Sequence, residues 1–290
     1  MKYIFFGTPE FAAIILEKLI GAGFVPSAVV CNSDKPVGRK KVITPPAVKA
    51  RIMNYESGIR NKIKILQPGK LQLSLFSILN SSFDFFIVAA YSQIIPKEIL
   101  EIPRLGTIGV HPSLLPKYRG ATPIQTAILN GDEKTGVSLF LVDEKIDHGP
   151  ILSQQTLNYE LGIMNYGELS QKLAELGADL LIDTLPKFIN GEITPLAQDE
   201  SQATYTKKFS TQDAYVEPQD LEKAQQDGGE IAIEIDRKIR ALNPEPGVFT
   251  LSSSKGGLKR MKILEAVLTQ ENKLKLKKIQ FEGKKPIVYN

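Results

Sequence analysis

The chain has 290 residues, 42% of them hydrophobic, with a formal net charge of +4, a single cysteine and two histidines. That length supports about two domains with a substantial core, and no run approaches the roughly 18 apolar residues of a membrane span. Met1 leads directly into a strand-like stretch rather than a signal peptide, so the expectation is a soluble cytoplasmic protein with no membrane partner. Cys31 cannot close an intrachain disulfide and reads as a small apolar side chain.

The charge is unevenly placed. Between 35 and 62, eight basic residues (Lys35, Arg39, Lys40, Lys41, Lys49, Arg51, Arg60 and Lys62) face only Glu56. Between 251 and 290, ten basic residues stand against Glu265, Glu271 and Glu282, and the remainder of the chain is acidic on balance. Two basic clusters on an acidic body suggest a polyanionic partner.

In chain order, "KYIFFG" is a short buried-strand run. "TPEFAAIILEKLIGAG" then predicts a helix, with Thr8 as N-cap and Pro9 in the first turn. "VPSAVV" and "IKILQP" are further strands, separated by a basic loop containing Pro36, Pro45 and Pro46. "FDFFIVAAY" is a continuous apolar run of the kind a parallel strand buried on both faces needs, and "GTIGVH" is the next strand. Strands alternating with helices predict an α/β domain with a doubly wound, mostly parallel sheet, Rossmann-like in outline. The turn "GTPEFA" holds one glycine, Gly7, so the three-glycine dinucleotide fingerprint is absent.

"GVSLFLVDEKIDHGPIL" alternates as two strands around a charged turn. "YGELSQKLAELGADLLIDTLPKFI" predicts a long amphipathic helix with Leu169, Leu173, Leu176 and Leu180 facing the core. Residues 191–208 are polar and aperiodic, and read as a linker between a domain at 1–190 and a second at 209–290. The second domain opens with one helix, "EIAIEIDRKIRAL". It continues as "GVFTL", "LKRMKILEAVL" and "KLKLKKIQF", alternating strands that suggest a small OB-like β-barrel.

His111 sits at the carboxyl end of a predicted strand, where ligands of doubly wound sheets bind. Asp147 and His148, in "KIDHGP", are the other candidates, with Ser113 and Gln93 as lesser ones. A carboxylate beside an imidazole suits acyl or formyl transfer, in which charge builds on a carbonyl oxygen. Two histidines and an acid at this spacing match no zinc pattern, and Ser113 lacks the elbow of a nucleophilic serine.

The runs "FFGTPEFAA", "DKPVGRKKVITPPAVK", "VAAYSQIIPKEIL", "GVHPSLLPKYRGATPIQTAILNGDEKTGV", "DHGPIL" and "IRALNPEPGVFT" together resemble the methionyl-tRNA formyltransferases, a branch of the folate-dependent formyltransferases. The resemblance spans nearly the whole chain. It implies that the formyl group of 10-formyltetrahydrofolate, a co-substrate, passes to the amino group of methionine on initiator methionyl-tRNA in translation initiation. It implies no metal, and the expected assembly is a monomer.

By the same resemblance His111 and Asp147 are the catalytic residues. Ala90, Tyr91, Gln93, Ile95 and Pro96, with the segment preceding the aspartate and the loop Ser113, Leu114, Leu115 and Pro116, line the folate cleft. Arg39, Lys40 and Lys41 contact the tRNA, and Lys273, Lys275, Lys277 and Lys278 face it from the second domain.

Gly109 departs from the pattern, which has asparagine two residues before the histidine, donating to the developing oxyanion. Loss of one such donor typically costs on the order of 10²- to 10³-fold in turnover. The favoured expectation is that a water, or a side chain such as His148 or Gln93, donates in its place. The other outcomes are slower chemistry, or a relative that binds folate and tRNA without efficient transfer. A sugar-nucleotide N-formyltransferase is the remaining alternative, although it has no need of the basic loop.

Overall fold

In the computed structural model the described residues are 1–38, 40–77, 82–158, 163–254 and 257–289. The chain runs β1 (Tyr3–Gly7), α1 (Glu10–Gly21), β2 (Ala28–Val30), β3 (Lys35–Val37), β4 (Val42–Thr44), α2 (Ala47–Met53), α3 (Ser57–Arg60), β5 (Lys64–Leu66) and α4 (Ser74–Ser77). It continues β6 (Phe85–Ala89), α5 (Lys97–Leu100), β7 (Thr107–His111), α6 (Pro123–Asn130), β8 (Lys134–Leu141), β9 (Ile151–Asn158) and α7 (Tyr166–Ile189). The last elements are α8 (Pro218–Gln226), α9 (Glu230–Leu242), β10 (Phe249–Ser254), β11 (Gly257–Leu268), β12 (Leu274–Phe281) and β13 (Ile287–Val288).

Two compact units emerge. The first comprises Met1–Arg119, Thr135–Leu157 and Ser170–Tyr205. Its seven-stranded sheet has the order β5-β2-β1-β6-β7-β8-β9. Neighbours from β5 to β7 are parallel, and β8 runs antiparallel to β7. The chain winds outward from β1 through β2 to β5, then returns to place β6 on the other side of β1. The carboxyl ends of β1 and β6 therefore flank the point where winding reverses, the usual place for a ligand crevice.

Alternation along β1 builds the core on both faces of the sheet. Ile4 and Phe6 join Phe76, Phe83, Phe86 and Ile99 in one apolar cluster, while Tyr3 stacks on Phe85 at 5.2 Å on the opposite side. Each fully buried Phe contributes roughly 1.5–3 kcal/mol by leaving water. Helix α1 buries Phe11, Ala12, Ile15, Leu16 and Leu19. The expected N-cap shifts by one residue. Pro9 holds that position without a side-chain cap, because the Thr8 hydroxyl accepts from the Asn32 N–H at 3.2 Å. In α7, Leu169, Leu173 and Leu180 are buried as expected, and Leu176 is half-buried.

The basic loop is partly regular, a feature the sequence reading missed. β3 and β4 pair as an antiparallel hairpin, Val37 opposite Val42, with Val37, Val42 and Ile43 exposed. Residues 191–205, expected as part of a linker, contribute their contacts to the first unit. Leu196 exchanges backbone hydrogen bonds with Ile151 at 2.8 Å in each direction.

The second unit comprises Gly120–Lys134, Asn158–Leu169 and Thr206–Asn290. It holds an antiparallel sheet of order β10-β11-β12-β13, with α9 packed on it and on α6. Helix α8, which the sequence reading missed, carries Pro at its first turn and buries only Leu221 and Ala224.

Candidate active site

β7 forms because "TIGVH" places β-branched Thr, Ile and Val between Gly106 and Pro112, and all five residues are buried. The strand delivers His111 to its carboxyl end, where the imidazole is 8% exposed. His111 Nε2 lies 2.9 Å from the Tyr118 carbonyl. A carbonyl can only accept, so Nε2 carries the proton of that hydrogen bond. The other nitrogen, Nδ1, is turned to Asp147, with Oδ2 at 3.6 Å. Residues 36 positions apart in sequence thus meet. Their separation exceeds a direct hydrogen bond and allows a reacting group or one water to complete the contact.

Asp147 comes from the turn between β8 and β9, at φ +48°. This left-handed conformation is uncommon for a residue with a side chain. Gly149 closes the turn where nothing larger fits, since a Cβ there would lie 1.8 Å from the Leu141 carbonyl oxygen. His148, next to Asp147, is drawn elsewhere. Its Nδ1 pairs with Asp143 at 2.6 Å and its Nε2 lies 3.6 Å from Glu200.

The loop after His111 is pinned to the sheet. Ser138 Oγ donates to the Ser113 carbonyl at 2.6 Å and accepts from the Leu115 N–H at 2.9 Å. Gln154 donates to Ser138 Oγ at 2.7 Å and to the Leu115 carbonyl at 2.8 Å. The Ser113 hydroxyl itself donates to the Lys117 carbonyl at 2.6 Å. Leu114 is half-buried, Leu115 buried and Pro116 half-buried.

On β6's exit, Ala90 is exposed at φ +47°. Tyr91 and Ile95 pack against the apolar cluster of β1 and β6. Burial pushes the Tyr91 phenol up to about 12. Gln93 donates to the Pro68 carbonyl at 3.2 Å, and Ile94 is 92% exposed. An open cavity of about 610 Å³ begins where this loop ends. Lys97, Leu100 and Glu101 line one side, and Val142, Asp143, Glu144 and Lys145, the segment preceding Asp147, line the other. None of the nine residues expected around the folate lines that cavity.

The position opposite Gly109 shows what fills the space beside the strand there. Gly109 is paired across strands with Phe140, and a Cβ at 109 would lie 2.3 Å from Phe140 Cε1 and 2.6 Å from Cζ. An aromatic ring, and not a donor from His148 or Gln93, occupies the space a side chain at 109 would need. The hydrogen bonds of His148 and Gln93 described above run to Asp143 and Pro68.

Of the tRNA candidates, Arg39 lies outside the described residues. Lys40 and Lys41 are exposed at the hairpin tip. Lys49 is engaged at the hairpin base, donating to Asp34 at 2.8 and 2.9 Å and to Gln67 at 2.8 Å. Gln67 in turn donates to Asp34 at 2.8 Å and to the Asn32 carbonyl at 2.7 Å. The Lys49 and Gln67 hydrogen bonds hold the Asp34 carboxyl below the usual carboxylate range. In the second unit, Lys273 and Lys278 pair with Glu271 and Glu265, Lys275 is exposed and Lys277 half-buried. Among the described residues, no three His, Cys, Asp or Glu gather as a metal site, and no helix is long and apolar enough to cross a membrane.

The formyl transferase pattern matches residues 1–185, and the formyl transferase C-terminal domain pattern matches residues 229–275. A methionyl-tRNA formyltransferase of Enterococcus faecalis is 39% identical over 86% of this chain and 75% of its own. The fold is shared with a methionyl-tRNA formyltransferase from Clostridium thermocellum, at TM-score 0.59 and 20% identity over 97% of this chain and 98% of that one. It is shared also with an N-formyltransferase from Helicobacter canadensis in complex with folinic acid and dTDP-3-aminofucose, at TM-score 0.61 and 22% identity over 93% of this chain and 88% of that one. With its buried imidazole facing a carboxylate at the end of β7, and with family sequence over most of its length, the chain belongs to the formyl transferase family.

Proposed function

We propose that this protein transfers the formyl group of 10-formyltetrahydrofolate to the amino group of methionine on initiator methionyl-tRNA, acting in the cytoplasm. The observation that carries the reading is the 3.6 Å approach of His111 Nδ1 to Asp147 Oδ2, in a chain 39% identical to a methionyl-tRNA formyltransferase.

The chemistry follows from the pair. The neutral amine attacks the formyl carbon, forming a C–N bond and a tetrahedral intermediate with charge on the former carbonyl oxygen. Because Nε2–H is given to the Tyr118 carbonyl, Nδ1 takes the proton lost by the amine, and the imidazolium so formed, balanced by Asp147, donates toward that oxyanion. The bond from the formyl carbon to N10 of the folate then breaks. The proton lost by the amine reaches N10 through His111 or a water, so atoms and charge balance. The crevice past the carboxyl ends of β1 and β6, beside Tyr91 and the Ser113–Pro116 loop, suits the folate, and the basic hairpin suits the phosphates of the acceptor arm.

The test is a single-turnover formyl-transfer assay at stoichiometric enzyme, with methionyl-tRNA or an amino-sugar nucleotide as acceptor. Product on methionyl-tRNA is expected, with a loss of about 10²- to 10⁴-fold for His111→Asn. The Phe140 ring beside Gly109 favours a second reading, a folate and tRNA binder without transfer. Absence of product from either acceptor, with tRNA still bound, would establish it.

A further inference from the structure

We propose that Gln198 is a positioning residue for the reacting pair, holding Asp147 toward His111 through the backbone, with Arg119 and Glu200 as its support. The inference rests on the catalytic reading of His111 and Asp147 given above.

The Gln198 amide uses both ends. Its Nε2 donates to the carbonyls of Asp147 at 2.9 Å and Gly149 at 2.8 Å. Its Oε1 accepts from Arg119 Nε at 3.1 Å and Nη2 at 2.8 Å. Carbonyls accept only and guanidinium donates only, so the amide has one satisfactory orientation. Arg119 cannot wander, because its side chain is fully buried. It grips both oxygens of Glu200, at 3.0 and 2.6 Å, and its Nη1 lies 3.1 Å from the Tyr205 hydroxyl. The Arg119 hydrogen bond holds the Glu200 carboxyl below its ordinary range, as expected of a charge-assisted bidentate pair.

What this chain of contacts fixes is the direction of one carboxylate. The Cα–Cβ direction of Asp147 follows from its backbone dihedrals, and φ there is +48°, a conformation that persists only where surrounding contacts over-determine it. Two hydrogen bonds to the carbonyls on either side of His148 supply that constraint. Released from them, the turn relaxes and the carboxylate swings away from Nδ1. A displacement of about 1 Å in a reacting group can cost a hundredfold in rate.

Gln198→Glu isolates the two ends of the amide. It keeps the length and the acceptor for Arg119, but presents oxygen where two carbonyls need a donor. The expected result is a fall in kcat of between about tenfold and a hundredfold, with KM for methionyl-tRNA and for 10-formyltetrahydrofolate within about twofold of wild type. In an Asp147→Asn background the same change should cost under about twofold, since nothing remains to be positioned. Glu200→Gln keeps an oxygen for Arg119 while removing the charge at a side chain 56% exposed; with its thermal midpoint measured beside wild type to register any folding loss, it should show the same kinetic pattern at smaller amplitude. Wild-type kcat in Gln198→Glu, with turnover lost in Asp147→Asn, would overturn this inference and leave the catalytic reading intact. Losses that multiply in the double variant would reduce Gln198 to a general structural role. Full turnover in Asp147→Asn would remove the catalytic reading and this inference together.

Discussion

Phe140 lies edge-on where the side chain of residue 109 would begin, its Cε1 2.3 Å from the Cβ position of Gly109. The ring is buried, so the two positions must change together. Gly109→Asn alone forces an off-rotamer phenyl or a strand shift, which costs about 1–3 kcal/mol. Thermal unfolding should show that loss, with no gain in turnover. Adding Phe140→Ala removes that clash, so the double variant should lose less stability than the two single changes summed and, if the new amide reaches the oxyanion, gain kcat. A single Gly109→Asn as stable as wild type would contradict the coupling.

Gly149 is held to the absence of a side chain by backbone. Its neighbour at 1.8 Å is the carbonyl oxygen of Leu141, which cannot rotate aside as a side chain could. Gly149→Ala should displace the Asp147 turn and lower kcat by about 10²-fold. Gly21→Ala is the matched control, because a Cβ there meets nothing within 4 Å. Kinetics of the two variants side by side check this, and equal activity would refute it.

Asp34, its carboxyl held below the ordinary range chiefly by Lys49, gives the hairpin base an acid-sensitive anchor. A carboxyl whose folded value lies below its unfolded one contributes fully above the ordinary value of 3.8. That contribution fades as pH falls through the depressed value. Thermal midpoints measured from pH 7 downward should therefore drop less steeply below about pH 4 in Asp34→Asn, which should also start lower at neutral pH. Parallel profiles for variant and wild type would argue against the anchor.

Lys40 and Lys41 carry the prediction for nucleic acid. If both meet phosphates, neutralising them together should reduce the slope of log affinity against log salt by roughly 1 to 2. Binding of methionyl-tRNA across a salt series measures it. An unchanged slope would move the contact elsewhere.

Sequence carried what burial writes into it. The strands "FDFFIVAAY" and "GTIGVH" and the leucines of α7 were legible because apolar side chains recur where the sheet and its helices meet. The hairpin of β3 and β4 was not, since Val37, Val42 and Ile43 are exposed and no core pattern marks them. Residues 191–208 looked like a linker for a related reason. Gln198, Glu200 and Thr204 bind through hydrogen bonds, which leave no hydrophobic period. Gly109 was visible as an anomaly, but its explanation required the cross-strand register that sets Phe140 opposite it. Spacing alone left His111, Asp147 and His148 together, and the resemblance singled out the first two; the turn sets Asp147 3.6 Å from His111 Nδ1 and pairs His148 with Asp143.

The first unit is stitched from three stretches, 1–119, 135–157 and 170–205, and this governs how the gene can be cut. A fragment stopped at residue 190 would keep every strand of the large sheet and look complete on paper. It would nonetheless strip Gln198, Glu200 and Tyr205 from an Arg119 guanidinium wholly enclosed by protein. Orphaning an enclosed cation costs about 3–5 kcal/mol, against a typical total stability of about 5–15 kcal/mol. Any fragment meant to keep the first unit should therefore run past Tyr205, and a ribosome must release that residue before the nascent unit can close.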